Sequence, residues 1–260
     1  MIISFVRNEG AVFFAAVHLL TRFPLPRRID YSPVRFNAAG RYYPLVGAII
    51  GAIGALVYWV ADLALDPIVA ALLSTAATAF CTGAFHEDGL ADTFDGIAGG
   101  HTRARALEIM KDSRIGSFGA LALIIVVATK VVTLASLSGS MAVMAIVCGH
   151  IVSRTSSVIT IATSRYARED GTGSCAMTGI SGISTVVATM TGAIALIALA
   201  VFESVPIAVG ALLGAGLGHV GIRIFFQRRI GGYTGDCLGA TQQITEVGIY
   251  IGIVVAATIT

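Results

Sequence analysis

About seven apolar runs of bilayer-crossing length follow one another along this chain, and no soluble fold accommodates such a series. They cover residues 45–62, 67–85, 118–137, 141–163, 183–202, 206–224 and 244–260. A spanning helix needs about 20 residues, and each run approaches that length. Composition agrees: 56% of residues are hydrophobic and 12% charged, whereas soluble domains carry about 25% charged residues. Mean hydropathy is +0.85. The chain therefore reads as all-α, a polytopic transmembrane helical bundle, with residues 1–260 forming a single integral membrane domain. An earlier apolar run, 11–23, is interrupted by His18 and Arg22 and followed by Pro24 and Pro26. It is too short to span and is expected to form an interfacial or re-entrant N-terminal helix. No cleavable signal is evident around it. Glycines such as Gly47, Gly51 and Gly54, or Gly210, Gly214 and Gly218, recur at helical spacing and read as helix-packing positions.

The connections alternate in charge. Loops 62–66, 138–140 and 203–205 are short, contain no Lys or Arg, and hold Asp62, Asp66 and Glu203. Loops 24–44, 86–117, 164–182 and 225–243 are longer and hold nearly all the positive charge. The positive-inside rule places these long loops in the cytoplasm, and an odd number of spans then puts the C-terminus outside. All charged motifs fall on one face. A transporter needs access from both faces, so this asymmetry favours an enzyme working at the cytoplasmic side.

One stretch on that face dominates: His86-Glu87-Asp88-Gly89-Leu90-Ala91-Asp92-Thr93-Phe94-Asp95-Gly96. As a helix it places Asp88, Asp92 and Asp95 on one face, where three carboxylates repel unless a cation lies among them. A solvated acidic loop would need neither that spacing nor the flanking glycines. Mg²⁺ uses one or two protein carboxylates together with substrate phosphates, so Asp88, Asp92 and Asp95 are candidate ligands. Gly89 and Gly96 are expected to leave room for a bulky substrate beside the helix. His86 is either an acid/base group or a hydrogen-bonded structural residue.

Four further constellations lie near it. Lys111-Asp112-Ser113-Arg114 is either an interface anchor or an extension in which Asp112 joins the metal ligands and Lys111 or Arg114 binds phosphate. Lys130 and Arg154 lie inside apolar runs, Arg154 one turn from His150, and intramembrane cations require a partner: an acid or a phosphate. Arg165-Tyr166-Ala167-Arg168-Glu169-Asp170-Gly171 and Gly231-Gly232-Tyr233-Thr234-Gly235-Asp236 combine arginine forks or acids with glycine-rich backbone suited to anions. Asp236 repeats the Asp-beside-Gly pattern of the acidic stretch. No phosphate-binding P-loop, nucleophile elbow or H-E-x-x-H motif is present, which disfavours an ATPase, an α/β-hydrolase or a zinc protease. Cys81, Cys148, Cys175 and Cys237 are scattered, with no C-x-x-C pair.

Phe85 to Gly96, F-H-x-D-G-L-A-D-T-x-D-G, resembles the signature of the adenosylcobinamide-GDP ribazoletransferase, or cobalamin-5′-phosphate synthase, family. Thr21 to Pro26, Ile109 to Gly116, Lys130, Ser153-Arg154, Arg165 to Gly171 and Gly232 to Ala240 extend the likeness, in order, over nearly the whole chain. The resemblance implies a membrane transferase that joins α-ribazole 5′-phosphate (or α-ribazole) to adenosylcobinamide-GDP with Mg²⁺. GMP would be released and adenosylcobalamin 5′-phosphate formed. On that reading Asp88, Asp92, Asp95 and Asp112 are metal ligands. Asp92, Asp95 and His86 are catalytic, and Lys111, Arg114, Lys130, Arg154, Arg165, Arg168 and Asp236 bind substrate phosphate. Expected partners are the corrinoid nucleotide, α-ribazole phosphate, the cytoplasmic (inner) membrane and other nucleotide-loop assembly enzymes. No nucleic acid is expected, and homo-oligomerisation stays open. A CDP-alcohol-type lipid phosphotransferase shares the metal chemistry in kind, and a cation transporter is the alternative from another class.

Overall fold

The computed structural model describes residues 2–24, 32–168 and 179–260. Pro26, Arg27, Arg28, Cys175 and the Glu169–Gly171 end of the Arg165–Gly171 motif lie outside the described residues. Eleven α-helices are described: α1 (Ile2–Leu20), α2 (Pro33–Ala39), α3 (Tyr43–Asp62), α4 (Pro67–Thr82), α5 (Phe85–Gly99), α6 (Arg103–Ile109), α7 (Ser117–Ala135), α8 (Gly139–Thr163), α9 (Gly182–Phe202), α10 (Val205–Ile230) and α11 (Gly235–Ile259). Six helical segments are long and apolar enough to cross a membrane, and α4 with α5 make a seventh if that bent pair counts as one span. The expected helical bundle is therefore observed. Large apolar side chains face outward, among them Leu121, Ile124, Ile194, Leu213 and Leu217, while Arg154, Lys130 and Glu246 are buried. That inverted arrangement suits a lipid surround.

The short-loop end is closed by local caps. Asp66 accepts the Ile68 N–H at the start of α4, and Ser204 accepts that of Ile207 at the start of α10. At the other end the chain is more elaborate. Gly83 (φ +66°) and Ala84 (φ +56°) are successive left-handed residues, and they turn α5 by 90° from α4. The acidic helix thus runs off the line of the crossing segment. The N-terminal helix α1 is longer than the expected 11–23 and stops at Leu20, short of Pro24.

One expected loop is largely helix. Residues 225–243 split between the end of α10 and the start of α11, with only residues 231–234 between them. The misreading has a physical source: Thr241, Gln242, Gln243, Thr245 and Glu246 are polar, yet they are buried against polar groups of neighbouring helices. Helix α11 packs against α10, α5, α8 and α7. Along the α10/α11 seam the backbones meet at glycines; a Cβ on Gly218 would lie 2.8 Å from the Ile244 carbonyl oxygen.

Candidate active site: a carboxylate pocket beside a basic cleft

Helix α5 presents its three aspartates in graded environments: Asp88 exposed, Asp92 half-buried and Asp95 buried. The expected common helix is present, but tertiary packing gives its acids different work. Asp95 accepts the backbone N–H of Gly116 (2.7 Å) and of Gly119 (2.8 Å), one on each carboxylate oxygen. It serves as the N-terminal cap of α7, whose own N-cap residue, Gly116, has no side chain for the task. Asp88 lines a pocket of about 160 Å³ with Phe85, Gly89, Tyr166, Arg168, Gly235 and Asp236.

Asp236 reaches this pocket because α5 and α11 cross closely. A Cβ on Gly89 would lie 2.8 Å from the Asp236 carbonyl oxygen, and one on Gly239 would lie 3.0 Å from that of His86. The space beside Gly89 is therefore filled by α11. The space beside Gly96 is filled by Met110 and the Ala106 carbonyl. The expectation that these glycines leave room for substrate is corrected: they admit neighbouring backbone and side chains of the same chain.

Burial, then the charges of Asp236, Asp88 and Asp95, push the Asp92 carboxyl up to about 7, against the opposing pull of Arg168. Arg168 donates to Asp236 (2.7 Å), and Thr234 also donates to it (3.2 Å). Among the described residues, no three His, Cys, Asp or Glu side chains form a ready metal cage.

Two distant loops are stitched together to aim Arg168. Tyr166 and Tyr233 form a parallel bridge, with the Tyr233 N–H donating to the Arg165 carbonyl (2.9 Å) and the Ala167 N–H donating to the Tyr233 carbonyl (2.8 Å). Gly232 is required there, since a Cβ would collide with the Arg165 carbonyl. Arg103, which sequence reasoning missed, donates to the carbonyls of Ala167 (2.7 Å) and Ile230 (3.0 Å) and locks the same junction. On the far side of Arg168 lies a cleft of about 360 Å³ lined by Arg103, Leu107, Glu108, Lys111 and Arg168. Arg165 is exposed. Asp112 and Arg114 pair with each other at 2.6 Å, and that guanidinium lowers the Asp112 carboxyl to about 2.

Lys130 and Arg154 belong to a separate, buried assembly. Lys130 Nζ lies 2.9 Å from Glu246, which also accepts from Tyr250 (3.0 Å) and Gln242. Arg154 lies against His150, touching both its ring nitrogen and its carbonyl at 3.0 Å. Gln242 leads on to Gln243, and Gln243 donates to Glu87 on α5 at 3.0 Å. The partner demanded by Lys130 is thus Glu246, missed because it opens an apolar run, whereas Arg154 is held by His150. Pairing each intramembrane cation with each intramembrane acid would have found it. His86 is buried and faces a cavity of about 30 Å³ together with Arg154 and Ser157, on the interior side of α5.

A family model described as cobalamin-5-phosphate synthase matches residues 12–254. A protein from Leptothrix cholodnii named adenosylcobinamide-GDP ribazoletransferase is 42% identical over 94% of this chain and 95% of its own length. A protein of the same name from Shewanella oneidensis is 39% identical over 97% of each chain. No solved structure matches.

Proposed function

The chain belongs to the cobalamin-5-phosphate synthase family, and from that premise we propose that its carboxylate pocket carries out transfer at a pyrophosphate. Membership makes the chain an enzyme, a multi-pass membrane transferase of cobalamin biosynthesis. The name its relatives carry supports adenosylcobinamide-GDP as donor and a ribazole as acceptor, which on this reading is α-ribazole 5′-phosphate or α-ribazole. The observation that carries the reading is the surplus of negative charge on Asp88, Asp92 and Asp236, set directly against Arg168.

Those carboxylates fit a hard divalent cation such as Mg²⁺. They are oxygen donors crowded together, and one or two of them suffice when substrate phosphates complete the shell. A cation held there would neutralise the pyrophosphate and stabilise the departing GMP. Asp95 is committed to capping α7, so one or two of Asp88, Asp92 and Asp236 would hold the cation. Arg168 orients the phosphate oxygens through its fork. In the reaction a sugar hydroxyl of the acceptor forms a new bond to the corrinoid-linked phosphorus, and the bond from that phosphorus to GMP breaks. The hydroxyl proton passes to a carboxylate of this set that does not hold the cation. The small pocket suits the pyrophosphate and leaves the corrin ring outside it. The positive charge of the long loops supports a cytoplasm-facing site in the inner membrane.

The test is GMP release by the purified protein given Mg²⁺, adenosylcobinamide-GDP and α-ribazole 5′-phosphate. GMP formation that depends on Asp92 supports the reading, and none from the unaltered protein sinks it.

A further inference from the structure

The two substrates of the proposed transfer bring phosphate in different chemical forms, and the structure holds two anion environments to match. The donor's pyrophosphate contains the bond that breaks, so it needs the carboxylates and their cation. The acceptor's phosphate is a bystander: the family's product, by its name, keeps a 5-phosphate. A monoester that is not attacked needs positive charge and no metal. It is also repelled by unneutralised carboxylates, so its place is apart from Asp88 and Asp92.

The cleft beyond Arg168 meets these conditions. It is lined by Arg103, Leu107, Glu108, Lys111 and Arg168 and measures about 360 Å³, against about 160 Å³ for the carboxylate pocket. Its one acid among the described residues, Glu108, is paired with Arg105 at 2.8 Å. Arg168 is paired with Asp236 at 2.7 Å. Among the described residues, Arg103 and Lys111 have no carboxylate partner; Arg103 uses Nε and one Nη2 bond on backbone carbonyls. Two unneutralised cations match a phosphate monoester, which carries nearly two negative charges at pH 7. Arg168 lines both spaces, and its Nε is buried with no hydrogen-bond partner among the described residues. A buried donor of that kind needs an acceptor.

We propose that this cleft is the subsite for the 5′-phosphate of the acceptor nucleotide, with Lys111 as its specificity-determining residue and Arg168 as the wall between the two substrates' phosphates. The proposal rests on the transferase reading above. It places the acceptor's sugar next to the carboxylate pocket and its phosphate on the other side of Arg168, so binding energy from the bystander phosphate positions the attacking hydroxyl.

The experiment compares α-ribazole 5′-phosphate with unphosphorylated α-ribazole in the GMP-release assay, using the full-length protein, Lys111→Ala and Lys111→Arg. Lys111 is exposed, so its replacement does not threaten folding. Lys111→Ala is expected to raise KM for the phosphorylated acceptor by about tenfold, equivalent to about 1.4 kcal/mol. The preference for the phosphorylated acceptor should narrow by the same factor, and Lys111→Arg should restore most of it. Inorganic phosphate should compete with the phosphorylated acceptor in the unaltered protein and lose potency in Lys111→Ala. A loss of equal size on both acceptors, or a rise in KM for adenosylcobinamide-GDP instead, overturns this proposal while leaving the transferase reading standing. Absence of GMP from the unaltered protein overturns both.

Discussion

Two clusters of charge lie within reach of α11, and they are built on opposite terms. Around Glu246 the charges are largely answered: Lys130 at 2.9 Å, Tyr250 at 3.0 Å and Gln242, with the His150–Arg154 pair beside it and only the Arg154 Nε of that guanidinium left without a partner among the described residues. Around Asp92 carboxylates outnumber cations: Asp236, Asp88 and Asp95 are all of one sign, and Arg168, paired with Asp236, is the cation opposing them. Burial is tolerated in the first cluster because the groups neutralise one another. In the second, Asp88, Asp236 and Arg168 line an open pocket, where their charges stay in reach of solvent. Compensated charge holds the bundle together; uncompensated charge is available for chemistry.

Breaking each cluster should therefore produce different losses. Glu246→Ala strands Lys130 in the bundle interior and is expected to lower stability by about 3–5 kcal/mol, seen as a large drop in Tm of the detergent-solubilised protein. Asp92→Asn should leave Tm at or above that of the unaltered protein, since it removes repulsion, while GMP release falls by about a hundredfold. Equal losses of Tm in the two variants would erase the distinction.

The next effect concerns how the second cluster is assembled. Gly89→Ala forces α5 away from the Asp236 backbone, whose carbonyl oxygen would otherwise lie 2.8 Å from the added carbon. A cost of about 1–3 kcal/mol is expected, together with weaker Mg²⁺ dependence of activity, read as a higher Mg²⁺ concentration at half-maximal rate. Asp95→Ala should cost less, about 1–2 kcal/mol, by uncapping α7. Its Mg²⁺ titration should keep the same midpoint; a large shift would return Asp95 to the cation-holding set.

A further effect is on pH. The Asp92 carboxyl is raised from 3.8 to about 7, so the fold favours its protonated form. The folded state then binds more protons than the unfolded chain between those values, and stability declines as pH rises from about 4 to about 7. Mg²⁺ should offset that decline, and Asp92→Asn should flatten it. Thermal unfolding across that range, with chelator and with Mg²⁺, checks both.

Much of this protein was legible without coordinates. Hydropathy and helical periodicity are local properties, so the apolar runs, the multi-pass bundle and the helix carrying Asp88, Asp92 and Asp95 could be read directly. What the chain order could not reveal was which distant residues share a space. Asp95 looks equivalent to Asp88 along α5, yet the N-terminus of α7 claims it. Gly89 and Gly96 look like openings, yet Asp236 and Met110 occupy them. Lys130 announces that it needs a partner, but only the packing of α7 against α11 makes that partner Glu246. Period and polarity belong to each segment alone. Pairing between segments depends on where helices cross, and small residues and buried charges settle that jointly in three dimensions.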